Sequence, residues 1–195
     1  MSPIAQRLQA CLHGRAVLMG IGNRWRADDA AGPQVIAHVA DRVRASCIDA
    51  GDAPERHLGE AAEGNPETIL LIDAVDFRGV PGDVALFGCD DLPSRLSTTH
   101  DASLSILMGY LRAMTGAEVL LLGIQPATTG FGEPMSTAVE RAVQVVTDVL
   151  LAQLGEGSAS SVCADQFSGS LQPSSPIDSV CKTPCKGVEE GGQSR

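Results

Sequence analysis

The chain has 195 residues, a length that fits one domain plus accessory segments. Its formal net charge is −10, and its 14 Lys and Arg are scattered, so it has no basic surface to neutralise phosphates; nucleic acid is not expected as a partner. A hydrophobic content of 44% allows a sizeable core, yet no apolar run approaches the roughly 20 residues of a membrane span, so no membrane association is expected.

The N-terminal stretch is broken by Arg7, His13 and Arg15 and holds no signal-peptide core, which points to a soluble cytoplasmic protein. Arg15 to Ile21 (RAVLMGI) is a compact apolar run, the pattern of a strand buried on both faces. A helix is expected across residues 29–44, with Val35, Ile36, Val39 and Val43 on one side. Ala45 to Ala50 (ASCIDA) reads as a second strand. Thr68 to Ala74 (TILLIDA) is the clearest strand, and Asp83 to Phe87 follows the turn signal Pro81-Gly82 as a fourth.

Asp101 to Met114 places Leu104, Leu107, Met108 and Leu111 at helical spacing, and Ala117 to Ile124 (AEVLLLGI) is a fifth strand. The last helix opens near Ser136-Thr137, where Thr137 and Glu140 fit a capping box. Its apolar face is Val139, Ala142, Val143, Val146, Val149 and Leu150. Strands alternating with helices imply an α/β fold, a three-layer sandwich with a mostly parallel five-stranded sheet. From Gly155 onward, Gly, Ser and Pro supply 18 of the last 41 residues. Such a segment cannot bury enough apolar area to offset its ordering entropy, so residues 1–154 are expected to fold and 155–195 to form a disordered tail.

Ligands of open α/β sheets bind beyond the carboxyl ends of the strands. Past the first strand come Gly22, Asn23 and the pair Asp28-Asp29; past TILLID come Asp73 and Asp76. Ahead of the Asp101 helix stands His100, and past the last strand comes Gln125-Pro126. Carboxylates and an imidazole therefore gather on one rim, a donor set suited to a transition metal with open positions. Taken singly, each has a plainer role: Asp28 or Asp29 as a helix cap, Asp73 as an acceptor for loop amides, His100 as a helix-start residue. Gly20-Ile21-Gly22 after a strand also matches part of a dinucleotide fingerprint, but Trp25 stands where the third glycine belongs, and no nucleotide cofactor is expected. Cys11, Cys47 and Cys89 are isolated, and Cys163 with the Cys181/Cys185 pair does not make the two close pairs typical of zinc; all six are read as buried or idle thiols. Neither a G-x-S-x-G elbow nor an H-E-x-x-H helix is present.

Four ordered blocks, GIGNRWRADDAAGPQVI, LLIDAVDFRGVPGDV, STTHDASL and LLGIQPATTGFGEPMSTAVERAV, resemble the maturation proteases of nickel–iron hydrogenases, above all the branch that processes the hydrogenase 3 large subunit. The resemblance covers roughly residues 14–150. It implies a twisted sheet between helices and metal contacts through Asp29, Asp73 and His100; Asn23, Asp28 and Gln125, read from their places past the strands, are the expected supporting loop residues. Asp29 and Asp73 are the candidate catalytic carboxylates. It further implies that the metal is nickel supplied by the substrate, the precursor of a hydrogenase large subunit, whose C-terminal extension is cleaved off. Two chemistries stay open: a nickel-polarised carbonyl or activated water, or a carboxylate base with nickel serving recognition. The rival classes are a nickel-delivery module without peptidase activity and a nucleotide-binding oxidoreductase.

Overall fold

A computed structural model describes residues 3–91 and 101–155, the side chains of residues 101–103 excepted. His100 and the expected tail from Glu156 onward lie outside the described residues. In chain order the elements are α1 (Pro3–Cys11), β1 (Ala16–Ile21), a 3-10 turn (Ala27–Ala30), α2 (Ala31–Val39), β2 (Ser46–Gly51), a second 3-10 turn (Pro54–His57), α3 (Leu58–Ala62), β3 (Thr68–Ala74), β4 (Val84–Gly88), α4 (Asp101–Thr115), β5 (Glu118–Ile124) and α5 (Thr137–Leu154).

The five strands form one sheet in the order β2-β1-β3-β5-β4. All pairings are parallel except β4 with β5, which is antiparallel. The loop 75–83 between β3 and β4 is shorter than the dozen or so residues a parallel crossover needs, so the chain turns back and β4 closes the edge. β1, β3 and β5 read as unbroken apolar runs because both their faces are covered. One face packs on Leu8 of α1, Val35, Ile36 and Val39 of α2, and Val139, Val143, Val146 and Leu150 of α5. The other packs on Ala61 of α3 and on Leu104, Leu107, Met108 and Leu111 of α4. Leu18, Met19, Leu70, Leu71, Leu121 and Leu122 are fully buried, and each stabilises the sandwich by about 1.5–3 kcal/mol. Among the described residues no helix is long and apolar enough to cross a membrane.

Three local features differ from the sequence expectations. The helix expected over 29–44 starts as a 3-10 turn and ends at Val39. Val43 instead bridges to Gly155, and the Arg44 amide donates to the Leu154 carbonyl (2.9 Å), one of the acceptors the end of α5 leaves open. The last helix is capped by Ser136, not Thr137: the Ser136 hydroxyl accepts the Val139 amide, and Glu140 donates its backbone amide to the Ser136 carbonyl. The N-terminal α1, absent from the sequence expectation, buries Leu8 and Cys11, and is tied to α5 by Gln153 Nε2 donating to the Ala5 carbonyl (2.6 Å).

Candidate active site

β1 leads through α2 on one face to β2, and the chain returns past β1 through α3 on the other face to reach β3. The two crossovers part between β1 and β3, the switch point where open α/β sheets bind ligands. A cleft of about 710 Å³ opens there, lined by Gly22, Asn23 and Asp29 after β1, Asp52 after β2, Asp73 to Asp76 at the end of β3, Leu104 of α4, and Gln125 to Thr129 after β5.

Two glycines let α2 back directly onto the strand ends. Gly22 has φ +130, and a Cβ there would run into the Asp29 carbonyl. A Cβ on Gly32 would meet the Ile72 carbonyl and the backbone of Ile21. Gly22, which matches part of a dinucleotide fingerprint, thus makes room for protein backbone, and two carboxylates follow it in the turn where a pyrophosphate needs donors.

Those two carboxylates have different tasks. Neither caps a helix through its side chain, contrary to the capping expectation. Asp28 is completely buried. Its Oδ2 accepts the amides of Ala127 (2.7 Å) and Thr128 (3.1 Å) and the Ser136 hydroxyl (3.0 Å), and its Oδ1 accepts the Ser136 amide (2.6 Å). Burial pushes its pKa up, but the Ser136, Ala127 and Thr128 amides and the Ser136 hydroxyl together outweigh that, and it lies below the ordinary carboxylate value. The turn also holds Ala27 at φ +41, a conformation costly for a residue with a Cβ, which the bonds of the neighbouring Asp28 help to maintain.

Asp29 faces the cleft, half-buried. Its Oδ2 accepts the Asn23 amide at 2.9 Å, which anchors that oxygen. Asn23 in turn donates from Nδ2 to Asp52 (3.1 Å) and accepts the Trp25 amide (2.9 Å), so this asparagine organises the whole turn. Nearby, Arg24 pairs with Asp49 of β2 (2.6 Å). Asp73 sits at the end of β3 in register with Gly123 of β5. Alternation puts it on the side of Leu71 and Val75, the face that α4 covers. α4 begins one residue after His100 in sequence and brings Leu104 to the same cleft.

Gln125 is buried and clamps the loop after β3: its Oε1 accepts the amides of Phe77 (3.0 Å) and Gly79 (2.9 Å), and its Nε2 donates to Asp76 (3.1 Å). The Arg78 amide, then Gln125 and the Arg78 charge, hold Asp76 below the usual carboxylate range despite some burial. Among the described residues, no three His, Cys, Asp or Glu side chains are grouped to hold a metal. The cleft brings Asp29 and Asp73 together from two strand ends, and the third predicted ligand, His100, lies outside the described residues.

Among the described residues, Cys11, Cys47 and Cys89 form no disulfide. Burial and the Asp41 charge push Cys47 up to about 11, and burial likewise raises Cys89. Cys47 pairs with Leu18 in the first half of β1, and Cys89 follows the end of the antiparallel β4, so both lie toward the amino ends of the parallel strands, away from the cleft. Asp52 and Ser136 were not singled out from the sequence. Asp52 follows a short edge strand, and Ser136 read only as a helix-start residue; the signal for its second role lies in Asp28, more than a hundred residues away.

A doubly wound α/β domain with carboxylates gathered at its switch point is the frame of an enzyme that works at its strand ends. Comparison with known proteins narrows that class. The sequence model of the hydrogenase maturation protease family (HycI) matches residues 34–153. The hydrogenase 3 maturation protease of Escherichia coli (strain K12) is 33% identical over 153 residues, covering 77% of this chain and 97% of that one. The crystal structure of the [NiFe] hydrogenase maturation protease HycI from Thermococcus kodakarensis KOD1 superposes with a TM-score of 0.66 at 29% identity, covering 74% of this chain and 98% of that one. A crystal structure of a hydrogenase 3 maturation protease gives 0.64 at 33% identity, covering 77% and 97%. The chain belongs to the hydrogenase maturation protease family and is a peptidase of hydrogenase maturation.

Proposed function

We propose that this chain is the endopeptidase that removes the C-terminal extension from the nickel-loaded precursor of a nickel–iron hydrogenase large subunit, and that the substrate's nickel is the mark it reads. The observation that carries this reading is the convergence of Asp29 and Asp73, from the ends of two neighbouring strands, on one cleft roomy enough for a peptide segment. The names of the relatives, a hydrogenase 3 maturation protease and a [NiFe] hydrogenase maturation protease, support the choice of substrate.

Asp29 and Asp73 supply hard oxygen donors and His100 an imidazole, a set that suits nickel and leaves positions for the precursor's own ligands. Asn23 fixes Asp29 through one carboxylate oxygen and leaves the other for the metal. With the peptide anchored through its metal, the same carboxylates would be placed to position the attacking water. Nickel held there would polarise the scissile carbonyl or activate the water; in the other chemistry a carboxylate would be the base and nickel would serve recognition.

Incubating the chain with nickel-loaded and nickel-free precursor, followed by intact mass measurement, tests this. The expected result is loss of a C-terminal peptide from the nickel-loaded form alone. Nickel transfer without mass loss, or equal cleavage of both forms, rules the reading out.

A further inference from the structure

Two large aromatic residues stand in solvent beside this cleft. Trp25 is 73% exposed and Phe131 is 76% exposed, the two most exposed large apolar residues among those described. They come from loops more than a hundred residues apart, yet the Gly132 amide donates to the Trp25 carbonyl at 2.8 Å, which sets the two loops side by side. Both loops line the cleft, through Asn23 and Arg26 on one and Ala127 to Thr129 on the other.

The loops are also fixed. Asp28 fastens the first to the second at Ala127, Thr128 and Ser136, and Thr128 Oγ1 donates to Glu133 within the second (2.9 Å). Aromatic side chains with few rotatable bonds on a rigid base lose little entropy on contact, which is why such groups dominate binding energy at interfaces.

From this geometry we infer that Trp25 and Phe131 form an apolar docking edge that grips a hydrophobic segment of the large-subunit precursor next to the cleavage site. The inference rests on the cleft being the substrate site. Its division of labour is chemical: the carboxylate-lined floor takes the metal-bearing part of the substrate, and the aromatic edge takes apolar chain beside it. A second copy of this chain is the less fitting occupant. Two aromatic side chains cover about 150–250 Å² each, far below the roughly 800 Å² per partner of a stable interface. As one edge of a longer substrate contact that already includes the cleft, the same area is sufficient.

The test uses the full chain and the nickel-loaded precursor, with Trp25→Ala, Phe131→Ala, the double variant and the conservative Trp25→Phe. Each alanine variant is expected to raise KM about tenfold, equivalent to about 1.4 kcal/mol, with kcat within about twofold of wild type. Trp25→Phe should recover most of the loss, and melting temperatures should stay unchanged because both residues are exposed. Precursor affinity is measured in parallel without turnover. If the wild-type chain binds but does not cleave, the peptidase reading falls while the Kd comparison still decides this inference. A double variant that binds and processes with wild-type KM overturns it. So does a fall in kcat at constant KM, or a wild-type dimer that the double variant dissociates while KM stays put.

Discussion

The carboxylate of Asp28 accepts the amide of Ser136 at 2.6 Å across 108 residues of chain. This contact joins the turn after β1 to the start of α5, and the Ala127 and Thr128 amides on the same carboxylate hold the loop between them. One side of the candidate active-site cleft is therefore built around a single buried charge. Its neighbour Asp29 is free to face the cleft because Asp28 carries the structural load.

Replacing Asp28 by Asn should cost stability first and activity second. Asn keeps the shape but loses the charge, and its NH2 group faces donors where an acceptor is required. Hydrogen bonds to a charged group contribute about 1.5–3 kcal/mol each, so a loss of about 3 kcal/mol is expected even after relaxation. For a chain of this size that lowers Tm by about 10 °C. Thermal melts check it, and a Tm within 2 °C of wild type on the order of normal scatter would show that the contact is dispensable.

The same charge fixes the response to acid. The Asp28 pKa is lower in the folded than in the unfolded chain, where it is close to 3.8. Below that value the unfolded state binds the proton more readily, so the stabilisation is complete at neutral pH and is lost as pH falls through the folded pKa. Urea midpoints measured from pH 7 to pH 3 should show wild type approaching Asp28→Asn below about pH 4. Asp76, also held low, adds to the wild-type slope in the same direction. An equal gap between the two proteins at both ends of the range would contradict this.

The parts of the structure legible in the sequence are those set by local pattern. TILLIDA became β3 residue for residue because a strand covered on both faces needs apolar residues throughout. The α4 face of Leu104, Leu107, Met108 and Leu111 was readable from spacing alone. The early end of α2 was not, because it depends on Arg44 finding the Leu154 carbonyl. Nor was the cap of α5 at Ser136, or Asp28 as a loop tie instead of a helix cap: a D-D pair carries no local mark of which member turns inward. The convergence of Asp29 and Asp73 could be anticipated because both stand just past apolar runs, where sheet topology places ligand sites.

Gly22→Ala should remove activity through geometry. A Cβ at this position meets the carbonyl of Asp29, and φ +130 is itself closed to alanine. What must move is the candidate ligand, so processing should fall by more than the expected loss of about 2 kcal/mol in stability implies. Gly59→Ala is the control: nothing lies within 4 Å of its added Cβ, and its φ is ordinary, so stability and processing should hold. Processing of nickel-loaded precursor at a temperature where both variants are folded separates the two effects.

The decisive comparison is between adjacent aspartates. Asp29→Asn retains an oxygen that can accept the Asn23 amide, so the turn should survive, and a half-buried residue replaced by its isostere should shift stability by only about 0.5 kcal/mol. On the proposed reading, what disappears is the negative charge offered to the substrate's nickel, and a loss of several kcal/mol in recognition or transition-state binding should abolish processing. His100→Ala should have the same signature, inactive but stable, if its imidazole completes the site. Asp28→Asn should show the reverse pattern, a clearly lowered Tm with cleavage that returns when the assay is cooled below the transition. Melts and single-turnover cleavage on all three variants read both axes at once. An active Asp29→Asn, or an Asp28→Asn that is stable but dead, would exchange the roles of the two residues and move the metal ligand one position toward the N-terminus.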